Sequence, residues 1–157
     1  MKRRLLLVML LGLFPCIVFA GHFSAAERTY NVLFIQSYNH RTPWNNRLTE
    51  GVRDGLVRGG VKAKVTVEYL DADYWTFASE CVIMRRICER ARQRNTDLII
   101  TASDEAFYTL MHCGDSLPYM LPVVVSGIKY PNDKLMSGLS NAVSYTHLRA
   151  HETLANL

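Results

Sequence analysis

The feature that most constrains the fold is an alternation, along the chain, of short apolar runs with longer amphipathic segments. Four mainly apolar runs stand out, at residues 31–36, 64–70, 97–101 and 121–126. Runs of this length with few polar interruptions are typical of parallel strands that are covered on both faces. The sequence therefore predicts an α/β domain built on a parallel sheet of about four strands.

The segments between these runs have helical patterns. Thr42-Pro43 is typical of a helix start, with threonine as the cap and proline at the first helical position, and Gly59-Gly60 is typical of a helix end. We predict two further helices, one over residues 76–94 and one that starts at Ser103 or Asp104 and ends near His112, with Ser103 as the expected cap of the latter. The order βαβαβαβ then requires crossovers that place helices on both faces of the sheet.

The first twenty residues have the layout of an export signal. A basic stretch at 2–4 precedes an apolar run at 5–18, and small residues lead to a cleavage site after Ala20. Residues 1–20 are therefore predicted to be a signal peptide, with an uncleaved signal anchor as the alternative. We expect the mature domain to be exported, either to the periplasm or to the periplasmic face of the inner membrane.

The cysteines of the mature part leave two alternatives open. Cys81 and Cys88 are too far apart for a disulfide, because seven residues of helix separate their backbones by about 10 Å. Cys113 could pair with either of them. We favour the simpler interpretation, in which all three are small buried apolar residues.

The end of the chain is unlike the rest of the sequence. Residues 144–153, Ser-Tyr-Thr-His-Leu-Arg-Ala-His-Glu-Thr, resemble the in-frame translation of a transposase-type sequencing adapter. We therefore expect residues 142–157 to be an artefactual tail and the natural product to be interrupted near Asn141. His147 and His151 have the spacing of metal ligands on a helix, but their place in this tail argues against a metal site.

Charge and motif content exclude several classes of function. The formal net charge is +4, but residues 21–142 contain 14 basic and 13 acidic side chains, so the body of the chain lacks the basic surface that nucleic acid requires. The sequence has no glycine-rich phosphate loop, no Gly-x-Ser-x-Gly elbow and no Cys-x-x-Cys pair. We predict no catalytic residues, no metal and no cofactor.

Three loops at strand ends are predicted to hold a ligand, because open α/β sheets bind ligands beyond the carboxyl ends of their strands. They follow the first, third and fourth runs, and two of them lead into helix N-termini, where backbone N–H groups favour acceptor atoms. Their hydroxyls and aromatic rings suit a small polar ligand of the sugar, carboxylate or amino acid class. The candidate ligand-binding residues are Ser37, Tyr38, Trp44, Ser103, Asp104, Ser126 and Gly127, with Tyr130 as a further aromatic contact.

A second polar and aromatic stretch, at residues 69–75, comes at the end of the second run. Asp71 and Asp73 resemble the paired carboxylates of a metal-dependent transferase, but two residues make a weak motif. We favour a loop with a capping acid, and we keep an extracytoplasmic enzyme as a third hypothesis.

In their order and spacing, several segments resemble the ABC-transporter substrate-binding-like periplasmic domain. The segments are 32–38, 43–44, 49–56, 67–71, 97–106 and 121–127, so the resemblance spans about residues 30–138. This domain occurs as free binding proteins and as the extracytoplasmic sensor of membrane histidine kinases, including hybrid kinases. The resemblance implies a periplasmic-binding-protein-like (flavodoxin-like) lobe that closes on a ligand together with a second lobe, which is missing here.

The leading hypothesis is therefore that residues 21–141 are the first lobe of the sensor domain of a two-component histidine kinase. The alternative is a soluble substrate-binding protein that serves an ABC importer. The kinase is favoured because residues 68–75 are acidic and aromatic and because no lipid-attachment cysteine follows the export signal. The expected partners are a small polar ligand, the second lobe and the membrane and kinase segments of the parent chain, and not nucleic acid.

Overall fold

The computed structural model describes residues 28–139 and 142–145, where the chain forms five strands and five helices. The predicted signal peptide and the predicted tail beyond residue 145 lie outside the described residues. The strands are β1 (Tyr30–Gln36), β2 (Ala63–Tyr69), β3 (Leu98–Ala102), β4 (Val123–Ser126) and β5 (Ala142–Tyr145). The helices are α1 (Pro43–Arg58), α2 (Phe77–Gln93), α3 (Ser103–His112), α4 (Leu117–Met120) and α5 (Asp133–Ser137).

All strand pairs are parallel, and the strand order is β2-β1-β3-β4-β5. The predicted parallel α/β sheet is confirmed, with one strand more than the sequence indicated. The extra strand, β5, begins at Ala142, the first residue of the predicted tail. A short segment pairs at a sheet edge through its backbone whatever its origin, so the tail stays a prediction.

The two faces of the sheet are covered unequally. On one face, α1 packs Leu48 and Val52 over Phe34 of β1. On the other face, residues of α2 to α5 pack together over β1, β3 and β4 and form the larger cluster. The fully buried side chains of that cluster include Leu33, Ile35, Leu70, Met84, Ile87, Ile99, Phe107, Leu110 and Val123. Helices on both faces were predicted and are found, and among the described helices α1 is the one that packs on the face of Phe34.

The helix boundaries confirm most of the local predictions. Thr42 is the N-cap of α1 with Pro43 in the first turn, and α1 ends before Gly59. The predicted start of α3 at Ser103 is confirmed, but the predicted cap is wrong, because the N-cap position is Ala102 and the N–H of Ala106 is bonded to Ser37 Oγ. None of the helices in the described part of the chain has the length and apolarity that crossing a membrane requires.

A disulfide joins the two large helical elements of the larger cluster. Cys81 of α2 is bonded to Cys113, which directly follows α3, and their Cα atoms are 5.1 Å apart. Cys88 is buried and unbridged. The favoured interpretation of three unbridged cysteines is therefore wrong. The apolar residues along one side of a helix do not indicate which residue of the neighbouring helix faces them.

An ion-pair network ties β2 to the end of α2. Glu68 accepts hydrogen bonds from Arg90 at 2.8 and 3.1 Å and from Arg94 at 2.9 Å. Partial burial favours the neutral carboxyl, but the hydrogen bonds from the two guanidinium groups outweigh it and hold the pKa of Glu68 below its ordinary value of 4.5. The network therefore stabilises the fold only while Glu68 is ionised.

We expect Glu68→Gln to remove part of the acid sensitivity of the fold. A carboxyl whose pKa is lower in the folded state contributes stability above its unfolded pKa and loses it as the pH falls through the folded value. The contribution is about 1 kcal/mol or less, because the guanidinium partners are more than a third exposed and water screens them. Urea unfolding between about pH 6 and pH 3 measures this. The exposed position Glu50→Gln is the control. The prediction is contradicted if the unfolding free energy of Glu68→Gln changes with pH as steeply as that of Glu50→Gln.

Candidate functional site

The strand-end edge, which we define as the carboxyl ends of β1 to β4 with the loops that follow them, contains the predicted ligand loops. The order β2-β1-β3-β4-β5 places the reversal of the winding between β1 and β3. In open α/β sheets the crevice at such a reversal is where ligands bind. The loop after β1 and the first turn of α3 are therefore central to any ligand site on this edge.

Ser37 connects these two central segments. Its Oγ donates a hydrogen bond to the carbonyl of Ala102 at 2.8 Å and accepts one from the backbone N–H of Ala106 at 2.9 Å. Its side chain is buried. Ser37 was predicted as a ligand contact; its bonds in the structure go to β3 and α3, so the role that the geometry supports is to hold the start of α3 against β1.

We expect Ser37→Ala to lower the free energy of unfolding by about 1–3 kcal/mol, because the buried N–H of Ala106 would lose its acceptor. Urea unfolding of the full chain measures the loss. Ser137→Ala is the matched control, since Ser137 is exposed and its hydroxyl bonds only within α5. A loss for Ser37→Ala no larger than that of Ser137→Ala would contradict the assigned role.

The loop after β1 is held from the helix side as well. Asn45, in the first turn of α1 and 3% exposed, donates through Nδ2 to the carbonyls of Tyr38 at 2.9 Å and Asn39 at 2.7 Å. Gln36 donates through Nε2 to the carbonyl of Asn45 at 3.1 Å and to Thr49 Oγ1 at 2.7 Å. These hydrogen bonds therefore tie the loop after β1 to the first turn of α1.

Asp104 ties the start of α3 to the loop after β4. Its two carboxylate oxygens accept hydrogen bonds from the backbone N–H groups of Lys129 and Tyr130, each at 3.0 Å. The ring of Tyr130 is exposed, and Lys129 Nζ lies 5.2 Å from its centroid. Asp104 thus positions a neighbouring aromatic residue, and its own contact with a ligand stays a prediction.

Tyr38 lies in an acidic environment at the centre of the edge. Burial, followed by a hydrogen bond to Glu105 and the charges of Asp73 and Asp104, raises the pKa of Tyr38 to about 12. One oxygen of Glu105, Oε2, is buried and has no hydrogen-bond partner among the described residues. The phenol therefore stays protonated in neutral solution and can donate a hydrogen bond.

The remaining predicted residues lie together on the other side of the edge. In the structure, Trp44, Ser103, Ser126 and Gly127 all line one open cavity of about 810 Å³. We call this cavity the α1 trough. Its other lining residues are Leu48, Gly51, Val52, Gly55 and Leu56 of α1 and Leu98, Ile100, Ala102 and Val124 of the sheet.

The α1 trough lies where the described helices cover the sheet incompletely, since Ile100 and Ala102 are buried but Leu98 and Val124 are only partly buried. It extends along β3 from Leu98, at the start of the strand, to Ala102 at its end. Five strands span about 19 Å at a spacing of about 4.8 Å, whereas one helix is about 10 Å wide. Because α1 alone lies on this face, it cannot cover both β1–β2 and β3–β5.

Left-handed backbone conformations occur at three strand ends. Asp71 after β2 has φ 54°, Ser103 after β3 has φ 72° and Gly127 after β4 has φ 69°. Residues other than glycine seldom adopt positive φ, and such conformations concentrate at functional sites. Asn95, which precedes β3 at the opposite edge of the sheet, also has a positive φ of 50°, so two of the three such non-glycine residues in the described part of the chain lie at the strand-end edge.

A second cavity, which the sequence analysis did not assign, lies between the loops after β1 and β2. This Asp71 cavity has a volume of about 400 Å³ and is lined by Asn39, His40, Arg41, Asp71, Tyr74 and Trp75. Residues 69–75 had been interpreted as a loop with a capping acid, but the N-cap of the next helix is Thr76, whose side chain accepts from the N–H of Ser79. That interpretation is wrong. The sequence feature that could have indicated a cavity here is the aromatic pair Tyr74 and Trp75, close after Asp71.

The described residues offer little to catalysis. In residues 28–139 and 142–145, no three His, Cys, Asp or Glu side chains are grouped as metal ligands. Burial raises the pKa of the Cys88 thiol to about 12, which leaves it protonated and unreactive.

Comparison with known proteins identifies the architecture. No family model matches the sequence, and no curated protein matches it. Among solved structures, the chain is similar to the ABC domain in complex with L-Trp from Streptococcus pneumoniae, with 16% identity and a TM-score of 0.52. It is also similar to a conserved domain protein from Vibrio cholerae, with 18% identity and a TM-score of 0.54.

These similarities concern the fold and cover part of each solved chain. Each alignment includes 74% of the present chain and 38% of the solved one. The chain thus spans well under half the length of the structures it matches. Together with the strand order and the parallel pairing, they establish that this chain has the fold of one α/β lobe of the periplasmic-binding-protein type.

Proposed function

We propose that this chain is the first lobe of an exported two-lobed domain that closes on a small polar ligand and controls a cytoplasmic histidine kinase. The ligand acts by binding the closed state more tightly than the open one, which shifts a two-state equilibrium. The observation that carries the proposal is the strand-end edge, where Ser37, Asn45 and Asp104 hold three loops in defined positions around aromatic and acidic side chains.

The incomplete cover of the sheet supports a second lobe and further chain. The α1 trough is lined mainly by apolar side chains, and Leu98 and Val124 of the sheet are only partly buried there. The solved chains that share the fold are also much longer than the aligned part. In our proposal the rest of the parent chain covers the trough and supplies the opposite wall of the ligand cleft.

The disulfide supports export. The bond between Cys81 and Cys113 would persist in an oxidising compartment such as the periplasm and would be reduced in most cytosols. It agrees with the signal peptide proposed for residues 1–20. The ligand class is supported by the bound L-Trp that is named for the Streptococcus pneumoniae protein.

The second candidate function is that of a soluble substrate-binding protein for an ABC importer. The description of the Streptococcus pneumoniae protein as an ABC domain favours it. Both candidates share the closing clamp, and they differ in the segments that the parent chain carries after the clamp. We prefer the kinase because residues 68–75 are acidic and aromatic and because the export signal lacks a lipid-attachment cysteine.

The proposal is tested on the parent protein expressed from the uninterrupted gene. We expect a second α/β lobe, a membrane-spanning helix and a kinase core after this lobe. A panel of sugars, carboxylates and amino acids should include a compound that raises the unfolding temperature, because a ligand at a hundredfold its Kd adds about 2.7 kcal/mol. The same compound should change the autophosphorylation rate.

The outcomes separate the two candidates. A coding sequence that ends after a second lobe supports the importer and overturns the kinase. A coding sequence that ends without a second lobe overturns the proposal as a whole. The present chain alone should bind any such compound only weakly, since it supplies one wall of the cleft, and tight stoichiometric binding in calorimetry would contradict the clamp.

A further inference from the structure

The outer side of β2, which we call the β2 border, is a lateral edge of the sheet. β2 is the terminal strand in the order β2-β1-β3-β4-β5, and within the described part of the chain it pairs with β1 alone. It is seven residues long. Edge strands can pair with a strand of another molecule through their outward backbone groups. The β2 border is therefore a candidate interaction surface.

The hydrogen bonds to β1 fix which backbone groups of β2 point to the border. Tyr30 donates its N–H to the carbonyl of Lys62 at 2.9 Å. Leu70 donates its N–H to the carbonyl of Gln36, also at 2.9 Å. In a strand, the N–H and C=O of one residue point to the same side, and successive residues alternate, so the even-numbered residues of β2 bond to β1. The residues that present their N–H and C=O groups outward are Ala63, Val65, Val67 and Tyr69.

The side chains of β2 have a symmetric arrangement about Thr66. Lys64 lies two residues before Thr66 and Glu68 lies two residues after it, and these three share one face because alternate residues of a strand do so. On the other face, the residues nearest to this centre are Val65 and Val67. A second β2 strand, turned end for end about Thr66, would therefore place each lysine opposite a glutamate and each valine opposite a valine.

We propose that the β2 border pairs with the β2 border of a second copy of this chain, antiparallel and about a two-fold axis at Thr66. Lys64 of each copy then faces Glu68 of the other, and opposite charges in facing positions stabilise strand pairs. Val65 faces Val67, so outward backbone groups meet and can exchange N–H···O bonds. A parallel pairing in register would place Lys64 beside Lys64, and a shifted register would separate Lys64 from Glu68.

Both charged groups can take part in this pairing. Lys64 is exposed and forms no salt bridge within the residues that the structure describes. The carboxylate of Glu68 accepts two hydrogen bonds from Arg90 and one from Arg94. A carboxylate has about four acceptor positions. One position is therefore left for the ammonium group of a second copy.

The helix side of the β2 border is open to a second copy. Two cavities, of about 350 and 480 Å³, lie between α1 and β2 along the strand. Val57 and Val61 line the smaller one and are 75% and 38% exposed. An antiparallel pair has its two-fold axis perpendicular to the sheet, so both α1 helices lie on this face and association would cover exposed apolar side chains. The inference goes beyond the proposed function, because it concerns the side of the sheet and not the strand-end edge.

Sedimentation equilibrium of the full chain measures the association. We expect a reversible monomer–dimer equilibrium with a Kd of about 10–100 µM, because the interface is small. Lys64→Glu should raise this Kd at least about tenfold, since it places like charges opposite each other twice in the dimer. Lys134→Glu, at an exposed position of α5, is the matched control and should leave the Kd unchanged. Urea unfolding checks that each variant is folded.

Cysteine variants test the register, with Cys16 replaced by serine in all of them. Thr66→Cys should form a disulfide-linked dimer under mild oxidation, because facing residues at such a position have Cα atoms about 4.5 Å apart. Lys64→Cys is the matched control on the same face of the same strand. Its two thiols would be about 13 Å apart along the strands, so it should not cross-link.

Four results would overturn the inference. The first is a folded chain that stays monomeric at about 500 µM, well above the expected Kd. The second is a dimer whose Kd does not change in Lys64→Glu, which would place the contact elsewhere. The third is cross-linking of Lys64→Cys as fast as that of Thr66→Cys. The fourth is assembly beyond a dimer, because a two-fold pairing of the β2 border closes on itself.

Discussion

Replacing both Cys81 and Cys113 with serine is expected to lower the free energy of unfolding by about 3–4 kcal/mol. The two cysteines are 32 residues apart in sequence, and a cross-link over a loop of that size restricts the unfolded chain by roughly this amount. Small domains have a total stability of about 5–15 kcal/mol. Urea unfolding should show a lower midpoint and a larger slope, because the uncrosslinked unfolded chain exposes more surface.

Reductant separates the disulfide from the loss of the side chains. Dithiothreitol should destabilise the natural chain and leave the double serine variant unchanged. Cys88→Ala is the matched control, since Cys88 is buried in the same cluster and is unbridged, and it should retain the full response to reductant. If the urea midpoint of the unsubstituted chain does not change with reductant, the disulfide is contradicted.

Truncating Phe107 to alanine should have a similarly large effect, of about 3–5 kcal/mol. Phe107 is 0% exposed and lies in the middle of α3, in the larger cluster. Such losses are largest where the surroundings cannot close the cavity. Here α3 is held at its start by the bond from Ala106 to Ser37 and just after its end by Cys113, so it cannot collapse onto the sheet.

Phe77→Ala removes the same atoms at a position that is 54% exposed and should lower stability by about 1 kcal/mol or less. The comparison uses urea unfolding of both variants under the same conditions. Equal losses at the two positions would show that the burial of Phe107 does not have the energetic weight that the structure assigns to it.

The fold could be predicted where a local pattern decides the structure. Continuous apolar runs indicated β1 to β4, and Thr42-Pro43 and Gly59 indicated the limits of α1. The four-residue α4 and five-residue α5 are too short to show a periodic pattern. The pairing of Cys81 with Cys113 depends on how two helices face each other, which neither helix encodes alone.

The candidate site could be predicted only in part, because its composition depends on the order of the strands. Trp44, Ser103, Ser126 and Gly127 were chosen from loops after strands and do meet around one cavity. The loop after β2 was interpreted as a loop with a capping acid, because Asp71 and Asp73 alone make a weak motif. In the structure β2 lies beside β1. That neighbourhood is what brings Asp71 and Arg41 to the same cavity.

If the proposed function holds, the ties between the loops of the strand-end edge have a consequence for how a ligand binds. With Ser37 joining β1 to α3, Asn45 holding the loop after β1 and Asp104 holding the loop after β4, little conformational entropy is left to be lost on contact. Selectivity between similar ligands would then depend on how well each one fits the fixed loops. Ligand binding would move this lobe as a rigid body, because its loops would rearrange little.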